Sequence, residues 1–167
     1  MLNRHFWIIS LLIGFVFAQD SSFTFQQNDY VNIQSASTIQ PENAMTIECW
    51  VNPDQVNYEN FDPIIQYLRF NGTDEESGFS IIYYEDMFRF IVSVGSGQNG
   101  IFEDGLELWP GVTVNSDTWT HIAGTYDSET GIAKIFKNGY EQDSFATQGG
   151  LINWNYISDM DMKIGRS

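Results

Sequence analysis

From residue 23 onward, apolar and polar side chains alternate in short runs, and turn-forming residues punctuate them. Period-two alternation is the signature of a half-buried strand. It predicts strands at "FTFQQ" (23–27) and "YVNIQ" (30–34), on either side of Asn28-Asp29, and at "AMTIECWVNP" (44–53), stopped by Pro53. "PIIQYLRF" (63–70) runs into the polar loop "NGTDEESG". "FSIIYY" (79–84) and "MFRFIVSV" (87–94) are separated only by Glu85-Asp86, the spacing of a two-residue hairpin. "TWTHIAGTYD" (118–127) sets Trp119, His121 and Ala123 against Thr120, Ile122 and Gly124. "IAKIFK" (132–137) and "YEQDSFA" (140–146) flank Asn138-Gly139, two residues that tolerate positive φ and favour a type I′ turn. "DMKIG" (161–165) is the last run. Nine or more short strands, with no long amphipathic helix among them, predict an all-β antiparallel sandwich. No internal repeat and no linker interrupts residues 19–167, which are therefore expected to form one domain.

Residues 1–18 depart from this pattern. Arg4 precedes an apolar run from Phe6 to Phe17, and the small Ala18 comes next. That is the layout of a signal peptide, so residues 1–18 are expected to be removed and the mature chain to be secreted from about Gln19. The whole chain has 22 acidic and 7 basic side chains and a net charge of −15. Losing Arg4 makes the balance more acidic still. Such a surface repels phosphates, which argues against a nucleic-acid partner and against binding to anionic lipid. The 43% of apolar residues, rich in Phe, Tyr and Trp, fit a packed core and exclude disorder. Cys49 is the single cysteine, so no internal disulfide forms. Its place in an apolar strand pattern predicts a buried thiol.

Two stretches then resemble a known family. "FTFQQNDYVNIQSASTIQPENAMTIECWVNP" is similar to the opening of laminin-G-like domains of the concanavalin A-like lectin/glucanase superfamily, the jelly-roll group that also holds pentraxins. The resemblance rests there on Thr46 to Pro53, "TIECWVNP". "TWTHIAGTYDSETGIAKIFKNG" resembles the family's paired strands through Trp119, His121 to Asp127, and Ile135 to Gly139. "MKIGRS" (162–167) resembles the family's next strand. The resemblance implies an antiparallel jelly roll. It also marks departures: Gln26-Gln27-Asn28-Asp29 loosens the usual opening turn, and Lys137 replaces a usual valine. The family's acidic closing strand has no counterpart before Ser167. An open sheet edge is therefore expected, near the N-terminal strand or the 160–165 strand.

Candidate chemistry is sparse. His121 has no nucleophile or metal partner in its pattern and reads as a hydrogen-bonded sheet histidine. The related glucanases carry alternating carboxylates on one strand face. The nearest approaches here, Asp159 with Asp161 and Glu103 with Glu107, do not make that row, so no catalytic residue and no enzyme activity are expected. The resemblance implies a calcium ion at the sandwich rim, with Asp127 first and Asp29 second as ligands. Turn aspartates that cap their own backbone look the same in sequence. Asn71-Gly72-Thr73 is a glycosylation acceptor. The resemblance implies a secreted binding module for an extracellular glycan or protein, in adhesion or matrix recognition. The alternatives are a structural subunit that oligomerises by strand addition at the open edge, and a glycoside hydrolase-related domain.

Overall fold

The computed structural model describes residues 22–25, 29–34, 36–53, 62–70, 76–84, 87–95, 111–157 and 160–165. In chain order the elements are β1 (Tyr30–Ile33), a 3-10 helix (Ala36–Ile39), β2 (Ala44–Val51), β3 (Asp62–Phe70), β4 (Glu76–Tyr84), β5 (Met87–Val92), β6 (Gly111–Val112), β7 (Thr120–Asp127), β8 (Ile132–Lys137), β9 (Tyr140–Ala146) and β10 (Met162–Gly165). They form two antiparallel sheets, one ordered β1-β10-β3-β4-β5-β6 and the other β2-β7-β8-β9. This is the sandwich that the alternation predicts.

Register decides which residues face inward. In β4 and β5, Ile81 pairs Phe90 and Tyr83 pairs Phe88. In the other sheet, Cys49 pairs Ile122, Ile47 pairs Gly124 and Met45 pairs Tyr126. These two sets meet in the core, where Phe90, Ile81, Ile122 and Ile135 are wholly buried. Each such side chain contributes roughly 1.5–3 kcal/mol through burial. Gly124 has no side chain to offer, and the ring of Phe90 occupies the space where its Cβ would stand. Glycine in a strand interior commonly marks such a close approach. A second buried cluster, Leu68, Ile82 and Ile91, packs with Tyr84 and Phe145.

The hairpins obey their turn chemistry. Asn138 and Gly139 have φ of 51° and 82°, and Lys137 pairs Tyr140 across them. Tyr84 pairs Met87, so β4 and β5 close as the two-residue spacing requires. Glu85 and Asp86 themselves lie outside the described residues.

The structure corrects two expectations and adds a third feature. Of the strand expected at 23–27, residues 23–25 belong to no strand and Phe23 is 79% exposed, while residues 26 and 27 lie outside the described residues. Of the two places where an open edge is expected, β10 is not one, because β1 pairs it on one side and β3 on the other; the N-terminal strand β1 is the end strand of the described sheet. The stretch 147–157, to which alternation assigns no strand, turns inward. Ile152, Asn153 and Ile157 are buried. Trp154 packs on Tyr67 and Phe79, with centroids 5.6 Å and 6.1 Å away, and donates its indole N–H to the Pro41 carbonyl at 2.9 Å. The Tyr126 hydroxyl donates to the Gly150 carbonyl at 2.6 Å, which fastens the start of this segment to β7.

The sheets differ in width. β5 touches β7 and β8, while β6 touches β8 and β9. That overlap sets β7, β8 and β9 against β5 and β6. The inward side chains of β2, Met45, Ile47, Cys49 and Val51, are only half-buried. Their partners Thr120, Ile122, Gly124 and Tyr126 on β7 are all buried.

Candidate functional site: the outer face of the four-stranded sheet

β2 alternates so that Ala44, Thr46, Glu48 and Trp50 point away from the core, and all four are exposed. Across the register they meet the outward residues of β7: Trp50 pairs His121, Glu48 pairs Ala123, Thr46 pairs Thr125 and Ala44 pairs Asp127. β8 continues the rows, with Phe136 beside Ala123, Lys134 beside Thr125 and Ile132 beside Asp127. On β9, Glu141 and Ser144 extend them. The result is a solvent-facing lattice of aromatic, hydroxyl and charged groups around a small, nearly buried Ala123.

One end of this lattice is a cluster of three side chains. Trp50 is 63% exposed, unusual for the most apolar-bodied of the large side chains. The Trp50 and His121 rings lie 5.3 Å apart, tilted at 55°. On its other side His121 Nε2 is 3.4 Å from Glu48 Oε2. The backbone of His121 is fixed by Asn138: its N–H donates to Asn138 Oδ1 at 3.0 Å, and its carbonyl accepts the Asn138 N–H at 2.8 Å. So the β8–β9 turn positions the imidazole, and the imidazole braces the indole. Trp119, two residues upstream of His121, is also half exposed. Further along the face, Lys134 Nζ pairs with Glu141 Oε2 at 2.8 Å. At the far end a shallow depression is lined by Ala44, Met45, Thr46, Thr125, Tyr126 and Asp127. The expected sheet histidine is thus there, but its neighbours are Trp50 and Glu48.

The site residues expected from the sequence are scattered. Asp127 ends β7, and its carboxylate Oδ1 accepts the Glu129 N–H at 2.8 Å while its carbonyl accepts the Gly131 N–H at 2.8 Å. It caps its own turn. Asp29 precedes β1 in the other sheet and is exposed. Among the described residues no three or more His, Cys, Asp or Glu side chains converge as a metal would need. Asp127 ends β7 of the four-stranded sheet, while Asp29 lies just ahead of β1, the end strand of the six-stranded sheet. Two carboxylates would in any case be a small part of the six to eight oxygens that calcium takes. Asp161 Oδ2 accepts the Asn32 side-chain N–H at 2.7 Å. Asn71, Glu103, Glu107, Asp159 and the leader-like residues 1–18 lie outside the described residues. Cys49 is free and half-buried on the inward face of β2. Burial, with the Glu48 charge adding to it, pushes its thiol up to about 11. Burial also raises the Tyr126 phenol, partly offset by its hydrogen bond with Thr147.

Two antiparallel sheets packed face to face make the jelly-roll sandwich of the concanavalin A-like folds. The comparison with known families agrees, because a laminin G family model of the concanavalin A-like lectin/glucanases superfamily matches residues 25–167, and the chain belongs to that family. Its fold is similar to the solved structure of a point mutant of HCR/D, with a TM-score of 0.50 and 16% identity over 82% of this chain. It is also similar to domains LG4-5 of the mouse laminin alpha1 chain, at TM-score 0.48 and 12% identity over 85% of the chain. The binding domain of botulinum neurotoxin serotype G matches at TM-score 0.43 and 14% identity over 89%. The chain spans between 31% and 43% of the length of these solved chains. No curated protein matches it.

Proposed function

We propose that the chain is a secreted, non-catalytic module that binds an extracellular glycan or protein. The observation that carries this reading is the solvent-facing Trp50, braced by His121 beside Glu48 on the outer face of the four-stranded sheet. Large aromatics left in water on a rigid face are typical recognition groups, since they offer wide contact at little cost in side-chain entropy. Family membership supports the same reading, as does the leader-like pattern of residues 1–18. Among the described residues no alternating row of carboxylates supports hydrolysis of a glycosidic bond. The test is a glycan array, run with calcium and with chelator, beside a panel of extracellular matrix proteins. Binding to a member of either set is the expected result. Silence on both sets overturns the reading. Secretion is tested separately: the protein recovered from culture medium should begin near Gln19 and lose mass on enzymatic deglycosylation at Asn71.

The half-buried inward side of β2 favours a second reading, a subunit joined to a partner by strand addition. Among the described residues β2 pairs only with β7. An edge of this kind templates another strand. Concentration-dependent assembly in analytical ultracentrifugation, abolished by a proline at an outward β2 position such as Thr46, is its signature.

A further inference from the structure

We infer that the outer face of β2 and β7 is a binding track for a neutral, linear oligosaccharide, with Trp50 as the stacking platform at one end. This deepens the proposed binding role and rests on that reading.

Four observations point the same way. The first is the platform. The flat hydrophobic face of a pyranose ring packs its C–H groups on an indole, and Trp50 presents that indole at 63% exposure with His121 holding its tilt. The second is the polar edge. The Glu48 side chain is 64% exposed beside the platform. A carboxylate accepts two hydroxyl donors at once, which suits the vicinal hydroxyls of a sugar stacked next to it. The third is the path beyond. From Trp50 the outward rows of β2 and β7 lead over the small Ala123 to Thr46 and Thr125, then to the shallow depression at Ala44 and Asp127. Six residue steps along a strand span roughly 20 Å. That suits several sugar units in a row, and the hydroxyls of Thr46 and Thr125 lie on the way. The fourth is charge. With 22 acidic against 7 basic side chains, the chain repels sulfated and sialylated glycans, so a neutral ligand is favoured over heparin-like ones. An open sheet face rather than an enclosed pocket fits a chain-like ligand and affinity spread over several subsites.

The experiment uses the native chain with cellohexaose, chitohexaose and mannohexaose as neutral probes and heparin as the anionic one. Binding is followed by tryptophan fluorescence and calorimetry. The variants are Trp50→Ala, Glu48→Gln and, as a control aromatic away from the track, Tyr140→Ala, whose side chain is 75% exposed on β9. All three positions are exposed, and an unchanged melting curve confirms that each variant folds. The expected result is binding of at least one neutral hexaose, weakened about tenfold or more by Trp50→Ala and less by Glu48→Gln, with Tyr140→Ala unchanged. A neutral glycan that binds Trp50→Ala as well as native protein overturns the site while the glycan reading stands. Heparin binding without neutral binding overturns the ligand class. A protein partner found on the matrix panel with no response to any neutral sugar overturns the inference and leaves the broader binding role intact.

Discussion

Gly124→Ala is the substitution that tests the core most sharply. A Cβ at this position would meet the Phe90 ring at Cγ and Cδ2, and at 2.9 Å from Cε2. Phe90 is fully buried and packed from all sides, so its ring has no free direction to move. Elsewhere in a strand, Gly→Ala at an ordinary negative φ stabilises by about 0.4–1 kcal/mol through the unfolded chain. Here the added methyl must part the two sheets or push the ring off its rotamer. Overpacking of that kind costs about 1–3 kcal/mol, and the upper end applies because a ring face, not a flexible tip, is met. The net expectation is a loss of about 2–3 kcal/mol. Equilibrium urea denaturation followed by tryptophan fluorescence measures it as a lower midpoint at unchanged slope. Phe90→Ala alone should cost about 3–5 kcal/mol as a large-to-small core change. In that background Gly124→Ala should become neutral or stabilising, which makes a coupling of about 2 kcal/mol or more between the two sites. A neutral or stabilising Gly124→Ala in the native background refutes the claim that β5 and β7 meet face to face at this point.

Gly139→Val should cost about 1–2 kcal/mol from backbone strain at φ 82° alone, because no atom lies within 4 Å of its Cβ position; a larger loss in urea denaturation would contradict that. Cys49 should resist a maleimide at pH 8 when folded and react on unfolding. Its raised thiol also gives a sign for pH: the contribution to stability is complete below pH 9 and is lost as pH rises toward about 11, where the folded thiol ionises too. Cys49→Ala should therefore flatten the fall in melting temperature over that window, and an unaltered fall would count against it. Asp127→Ala should lose about 1 kcal/mol with chelator present, the value of the cap on the Glu129 N–H. A melting temperature that rises with millimolar calcium in the native chain but not in this variant is what a metal ligand at Asp127 requires; identical native curves with calcium and chelator rule it out.

The sequence by itself determined most of the strands and the turns that join neighbours, because their causes are local; the alternation at 23–25 and the short β6 are the exceptions. Period-two alternation and the Asn138-Gly139 and Tyr84/Met87 spacings are written within a few residues, and β8, β9, β4 and β5 obey them. The motifs around Trp50 and His121 likewise placed the chain in its family. Pairing between distant segments, and every feature that depends on it, was not legible. Nothing local says that β10 inserts between β1 and β3, or that β2 is one of the two end strands of the described narrower sheet. The inward turn of residues 147–157 depends on partners far along the chain, including Pro41 for Trp154 and Ser77 Oγ for the Tyr156 N–H. The candidate site is of the same kind. Alternation puts Trp50, Glu48 and His121 on strand faces, but only the β2–β7 register sets indole, imidazole and carboxylate side by side. A slip of one residue in that register would turn Trp50 into the core and leave His121 without either neighbour. Packing of Met45, Ile47 and Ile122 in the core cluster that also holds Phe90 opposes such a slip, so the packing inside the sandwich is what assembles the surface outside it.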